Sequence, residues 1–225
     1  MYFKNRADAA VELAERLMHY RRQHPLVVGV PRGGVPMARI VADALAADLD
    51  VVLVRKLGAP GQPELAIGAV DESGTVLEGN YFALAPASHV REEVRTQCEI
   101  LRMRRQLYRK AQPPIDPAGR VVIIVDDGVA TGSSMLSAVH ALRARRPKTI
   151  VVALAVAPPS SLAALRAEAD DVICLHAPPL FLAVGRFFED FSEVTDAMVV
   201  AALQRAAGKT AQPNHGERPL KSAGG

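Results

Sequence analysis

Five stretches of this 225-residue chain run apolar almost without interruption, and each is too short for a typical helix: LVVGV (26–30), DVVLV (50–54), RVVIIV (120–125), KTIVVALAV (148–156) and DVICL (171–175). A strand with one wet face alternates apolar with polar residues, so a continuously apolar strand is covered on both faces. The segments between them carry helical periodicity. Residues 6–22 contain no Gly or Pro and place Leu13, Ala14, Leu17 and Met18 on one face. Residues 35–48, 88–110, 133–145, 161–169 and 192–207 also read as helices. Strands alternating with helices predict an α/β fold, a mostly parallel sheet flanked by helices. Ligands of such sheets bind beyond the carboxyl ends of the strands.

One region breaks the alternation. Residues 55–80, RKLGAPGQPELAIGAVDESGTVLEGN, are rich in Gly and Pro, with AIGAV and TVLE reading as a hairpin about Asp71-Glu72-Ser73-Gly74. The expected organisation is one domain over 1–207. Residues 55–118 form an insertion of mobile loop, hairpin and charged helix. Residues 176–207 form a small hood and a terminal helix, and 208–225 a disordered tail. Aromatics make up 4% and Trp is absent, so the core is aliphatic. A net charge of +3 suits anionic small molecules and nucleic acid alike. Cys98 and Cys174 stand far apart without a CxxC pair, which predicts neither disulfide framework nor zinc site and fits a reducing cytoplasm. No apolar run is long enough to span a bilayer, and the N-terminus has no signal core, so the expectation is a soluble, cytoplasmic protein with no membrane partner.

The strand ends carry the chemistry. The first ends in Pro31-Arg32-Gly33-Gly34, the second in Arg55-Lys56, and the third in Asp126-Asp127 followed by Gly128-Val129-Ala130-Thr131-Gly132-Ser133-Ser134. A small-residue turn opening a helix near Ser133 presents free backbone N–H groups, and Thr131, Ser133 and Ser134 add hydroxyls. That is an anion site suited to a phosphate monoester. Two carboxylates cannot hold phosphate. They can accept hydrogen bonds from vicinal hydroxyls or hold a hydrated metal ion. Phosphate plus diol means a sugar phosphate, and Arg32-Gly33-Gly34 with Arg55-Lys56 offers a second anion site on the same edge. A Walker loop and a dinucleotide fingerprint are both excluded by the residues present.

Strand, paired acids, three variable residues and Thr-Gly-x-Ser resemble the phosphoribosyl-pyrophosphate (PRPP) motif of type I phosphoribosyltransferases, over roughly residues 25–200. The resemblance implies that Ala130, Thr131, Gly132, Ser133 and Ser134 bind the 5-phosphate, with Gly128 and Val129 in the same loop. Asp126 and Asp127 would take the ribose hydroxyls and Mg²⁺. Arg32 and Gly33 would bind pyrophosphate, in that family often across a non-proline cis peptide, with Gly34 beside them. RKLGAPGQP resembles the mobile loop of adenine phosphoribosyltransferases, which gives Lys56 a catalytic and Arg55 a substrate-binding role. FLAVGRFFEDF (181–191) is similar to the base-stacking and metal-contacting segment. Phe181 or Phe187 would then stack on a base, and Glu189 or Asp190 would face the metal, although the four phenylalanines there also suit hood packing.

Two departures bear on the acceptor. Ala130 stands where hypoxanthine-type enzymes have an acid, and Val156-Ala157-Pro158-Pro159 replaces the lysine that reads a 6-oxo group. The implied function is Mg²⁺-dependent transfer of the 5-phosphoribosyl group from PRPP to an acceptor base by a homo-oligomer. The rivals are a PRPP- or nucleotide-binding regulator without turnover and a sugar-phosphate phosphorylase or hydrolase on the same site. Helix 88–110 is strongly basic, and its thin seam of Val94, Cys98, Leu101 and Tyr108 suits a subunit contact. No aromatic–basic motif supports nucleic-acid binding.

Overall fold

A computed structural model describes residues 3–72, 74–79 and 81–210. Its strands are β1 (Leu26–Gly29), β2 (Asp48–Val51), β3 (Val54–Ala59), β4 (Gln62–Asp71), β5 (Val76–Glu78), β6 (Val121–Gly128), β7 (Thr149–Val156) and β8 (Asp171–His176). Its α-helices are α1 (Arg6–Leu17), α2 (Gly34–Leu45), α3 (Ala87–Ala111), α4 (Ser133–Arg143), α5 (Pro159–Glu168) and α6 (Asp196–Thr210). Five parallel strands form the central sheet in the order β2-β1-β6-β7-β8. As the unbroken apolar runs require, both faces are covered. Val27, Ile123, Val125, Val151 and Ala153 join a core with α1 and α2. Leu26, Val28, Val122, Ile124, Val152 and Leu154 join a second core with α4 and α5.

The strand order decides what meets at the edge. β1 and β6 are neighbours, with Gly29 paired to Val125. The loop after β1 therefore lies beside the two aspartates at the end of β6, although some 90 residues separate them in sequence. The end of β7 lies on the other side of β6.

The second strand differs from its expected 50–54. It leaves the parallel sheet after Val51, and Arg55 and Lys56 belong to β3, in a separate antiparallel sheet with β4 and β5. Val52 and Leu53 remain buried through the turn, so apolarity does not mark where pairing stops. The stretch expected as a mobile loop has regular structure here, burying Leu57, Ile67, Ala69 and Val70. β4 and β5 pair as the expected hairpin, whose Ser73 lies outside the described residues.

The seam on α3 is also spent inside the molecule. Leu101 and Tyr108 are buried, Val94 and Cys98 pack against the main core, and the Tyr108 hydroxyl donates to Asp196. Arg109 binds both Asp50 and Glu72, tying α3 to the body. Helix boundaries shift where caps decide them. Residues 18–23 tighten into a 3₁₀ turn, α5 starts on Pro159, and α6 starts at Asp196, where the Thr195 hydroxyl accepts from Met198 N–H. α6 runs through Thr210, past the expected boundary at 207. Residues 211–225 of the expected tail lie outside the described residues.

Candidate active site

The loop after β6 ends on Gly132, whose φ of +76° is a left-handed conformation that a side chain would strain. It lets the chain turn directly into α4. No side chain caps the N-terminus of α4, so its first N–H groups are presented at the strand edge. Ala130, Thr131 and Ser134 are exposed around it, and the Thr131 and Ser133 hydroxyls lie 3.2 Å apart. Ser161 Oγ donates to Ala130 O at 2.8 Å, anchoring the loop on α5.

Across the edge, the Pro31–Arg32 peptide is cis, as the resemblance implies, and α2 likewise opens without a side-chain cap. Gly33 faces Asp127 so closely that a methyl group there would lie 2.9 Å from Asp127 Cγ. Arg32, Gly33 and Asp127 line one cavity of about 450 Å³ with Arg6, Phe191, Glu193 and Val194.

The aspartates are in an uncomfortable state. Burial, then the Asp127 charge, pushes the Asp126 carboxyl well above the usual carboxylate range. Burial also raises Asp127, against the pull of Arg6. Asp127 N–H donates to Asp126 Oδ1 at 2.9 Å. Hydroxyl donors or a hydrated cation would relieve the strained pair, and perturbed acids of this kind are a mark of functional sites. The donor set fits Mg²⁺, which takes one or two carboxylates and keeps waters and substrate oxygens as its other ligands.

The phosphoribosyl transferase domain model matches residues 2–187. The chain belongs to that family. It is 40% identical over 210 residues to "Putative phosphoribosyl transferase Rv0571c" of Mycobacterium tuberculosis H37Rv, and equally to its counterpart in strain CDC 1551. The match covers 91% of this chain and 47% of those proteins, so the chain spans about half the length of the curated relatives it matches. The crystal structure of TT1426 from Thermus thermophilus aligns with a TM-score of 0.82 at 44% identity, covering 91% of this chain and 99% of that one.

Within this family frame, Arg32, Gly33, Gly34, Asp126, Asp127 and the turn 128–134 all meet at one edge of the sheet. Arg55 does not join them, because its Nε donates to Gln97 Oε1 of α3 at 2.7 Å. Strand alternation puts Lys56 on the opposite face of β3 with Val54, which packs against the second core. Phe181 and Phe187 stack on each other at 5.5 Å within the hood, and Phe191 is the aromatic that lines the cavity. Asp190 accepts from Ser192, which holds its carboxyl below the usual range. It forms no three-ligand group with the aspartate pair: among the described residues no three His, Cys, Asp or Glu side chains are placed to share a metal ion. No described helix is long and apolar enough to cross a membrane.

Sequence reasoning missed Arg6 and Glu193. Arg6 Nε donates to Asp127 Oδ2 at 2.7 Å, its Nη1 to Ser192 O at 2.7 Å, and its Cζ lies 3.8 Å from the Phe191 ring centroid. Glu193 accepts from Arg32 Nη2 at 2.6 Å. One signal was available: Arg6 opens α1, where a cation opposes the helix dipole. Its placement comes from Phe3 and Lys4, which pair with Phe187, Glu189 and Asp190 of the hood and bring the N-terminus to the site.

Proposed function

We propose that the chain is a phosphoribosyltransferase that takes PRPP and passes its 5-phosphoribosyl group to an acceptor base, releasing pyrophosphate. The observation that carries the reading is the paired aspartates standing between two anion-ready loops, one at the uncapped start of α4 and one at Arg32–Gly33. Residues 130–134 would hold the 5-phosphate through backbone N–H groups and hydroxyls. Asp126 and Asp127 would accept the ribose hydroxyls. Arg32 would hold the departing pyrophosphate once it leaves Glu193. As the bond from C1 to pyrophosphate breaks, charge grows on the leaving group, and donors fixed at its oxygens lower the barrier. Asp126 and Asp127 are the residues that would hold Mg²⁺, which when bound neutralises part of that charge. Lys56 would reach the site from β3.

One feature favours an enzyme over a regulator. A regulator would need the basic helix for nucleic acid, but Arg104, Arg105 and Arg109 of α3 are ion-paired to Asp196, Glu72 and Asp50. The acceptor pocket departs from an oxopurine reader, because Val156 and Ala157 are fully buried and Ala130 offers no acid. Screening nucleobases for PRPP-dependent pyrophosphate release with Mg²⁺ tests the reading. Release with one acceptor supports it. PRPP binding by calorimetry without release for any acceptor would make the protein a sensor, and no PRPP binding would overturn the site.

A further inference from the structure

Among the described residues, Arg6 is the cation lining the cavity that the sequence motif does not account for. Its guanidinium is fixed on three sides, by Asp127 Oδ2, by the Ser192 carbonyl and by the face of Phe191. Its side chain is only 15% exposed. The same oxygen, Asp127 Oδ2, also lies close against the Gly33 backbone, where a methyl group would come within 2.1 Å of it. The second acid of the pair is therefore held through one oxygen by Arg6.

We infer that Arg6 is a positioning residue of the sugar site: it grips Asp127 by one oxygen and so aims the carboxylate at the ribose hydroxyls. The inference rests on the PRPP reading. A carboxylate offers about four lone-pair sites over its two oxygens, so binding Arg6 leaves Asp127 able to accept from a hydroxyl. Arg6 does this from α1, outside the strand–loop–helix that carries the motif, and ties the hood segment at Ser192 to the same acid. Arg32 is different, since it faces an exposed carboxylate, Glu193, that a pyrophosphate can replace.

The two arginines should therefore sort ligands differently. In calorimetry with Mg²⁺, Arg6→Gln is expected to lose about ten- to a hundredfold in affinity for PRPP and for ribose 5-phosphate, the range of one charge-assisted hydrogen bond. Affinity for inorganic pyrophosphate should stay within about threefold, and 2-deoxyribose 5-phosphate, which lacks one hydroxyl, should lose less than ribose 5-phosphate. Arg6→Lys should recover part of the loss, since an ammonium can keep Asp127 but cannot also reach Ser192 and cover Phe191. An equal loss for all ligands would make Arg6 merely structural, and a loss confined to pyrophosphate-bearing ligands would make it a pyrophosphate ligand. Either result overturns the inference, as does unchanged affinity in Arg6→Gln while the wild type binds PRPP. If the wild type binds neither PRPP nor ribose 5-phosphate, the reading of the site itself fails and the inference falls with it.

Discussion

Gly33→Ala should change the sign of its effect when Asp127 is removed. Gly33 has φ −59° and ψ −37°, an ordinary right-handed conformation that alanine adopts freely. In that backbone, Gly→Ala is favourable by about 0.4–1 kcal/mol, because the unfolded chain loses freedom. The space is what forbids it. The new methyl would sit 2.9 Å from Asp127 Cγ and closer still to Oδ2, and Asp127 cannot swing aside while Arg6 holds it. Overpacking of this kind costs about 1–3 kcal/mol, so the net effect in the wild-type background is a loss on the order of 1 kcal/mol. Asp127→Ala deletes both clashing atoms. Arg6 Nε, 3.3 Å from the new methyl, is then free to move. In that background Gly33→Ala should stabilise by about 0.4–1 kcal/mol. Urea denaturation of the four proteins measures the coupling, and comparing within each background cancels the cost of leaving Arg6 unpaired. Independent sites add within about 0.5 kcal/mol. If Gly33→Ala has the same effect in both backgrounds within that margin, the close approach of Asp127 to the loop is not what keeps glycine at position 33.

Other expectations follow from single contacts. Arg32→Ala should weaken pyrophosphate and PRPP about ten- to a hundredfold while sparing ribose 5-phosphate, and Glu193→Gln should tighten pyrophosphate by freeing Arg32; equal changes for all ligands in a titration series would place Arg32 elsewhere. Hypoxanthine and guanine should be poor acceptors in a steady-state assay, and kcat/KM near the ~10⁴ M⁻¹s⁻¹ of ordinary enzymes would mean that a donor other than residues 156–159 reads the 6-oxo group. Asp170 should give a pH effect: burial opposes its ionisation, but Ile150 N–H and Arg143 outweigh that and hold its pKa below the usual value. A depressed carboxylate stabilises the fold above its unfolded pKa of about 3.9 and loses that contribution as pH falls through the folded value. Asp170→Asn should therefore melt below the wild type at neutral pH, with the gap closing in acid; a constant gap across that range would show that the charge is not what matters.

Much of this architecture was legible in the chain itself. The unbroken apolar runs at 26–30, 120–125 and 148–156 required a sheet covered on both faces, and α1, α2, α4 and α5 cover it. The pattern of two acids, Gly132 and a hydroxyl turn is local, within one strand–loop–helix, so sequence order alone places its parts together. The expected strand end at 54 was displaced because apolar runs show burial and not pairing: Val52 and Leu53 stay buried while the chain leaves one sheet for another and carries Arg55 with it. The α6 boundary differed because Ser192 and Glu193 bind Arg6 and Arg32 and the helix starts only after Thr195. What only the tertiary structure decided is who stands opposite the aspartates. The parallel pairing of β1 with β6 sets Gly33 against Asp127, and the docking of Phe3 and Lys4 on the hood delivers Arg6 to the same carboxylate. These partners are 94 and 121 positions away from Asp127 in the sequence. No periodicity or spacing reaches so far, because a long-range contact is fixed by which buried faces fit together and not by the residues that finally touch.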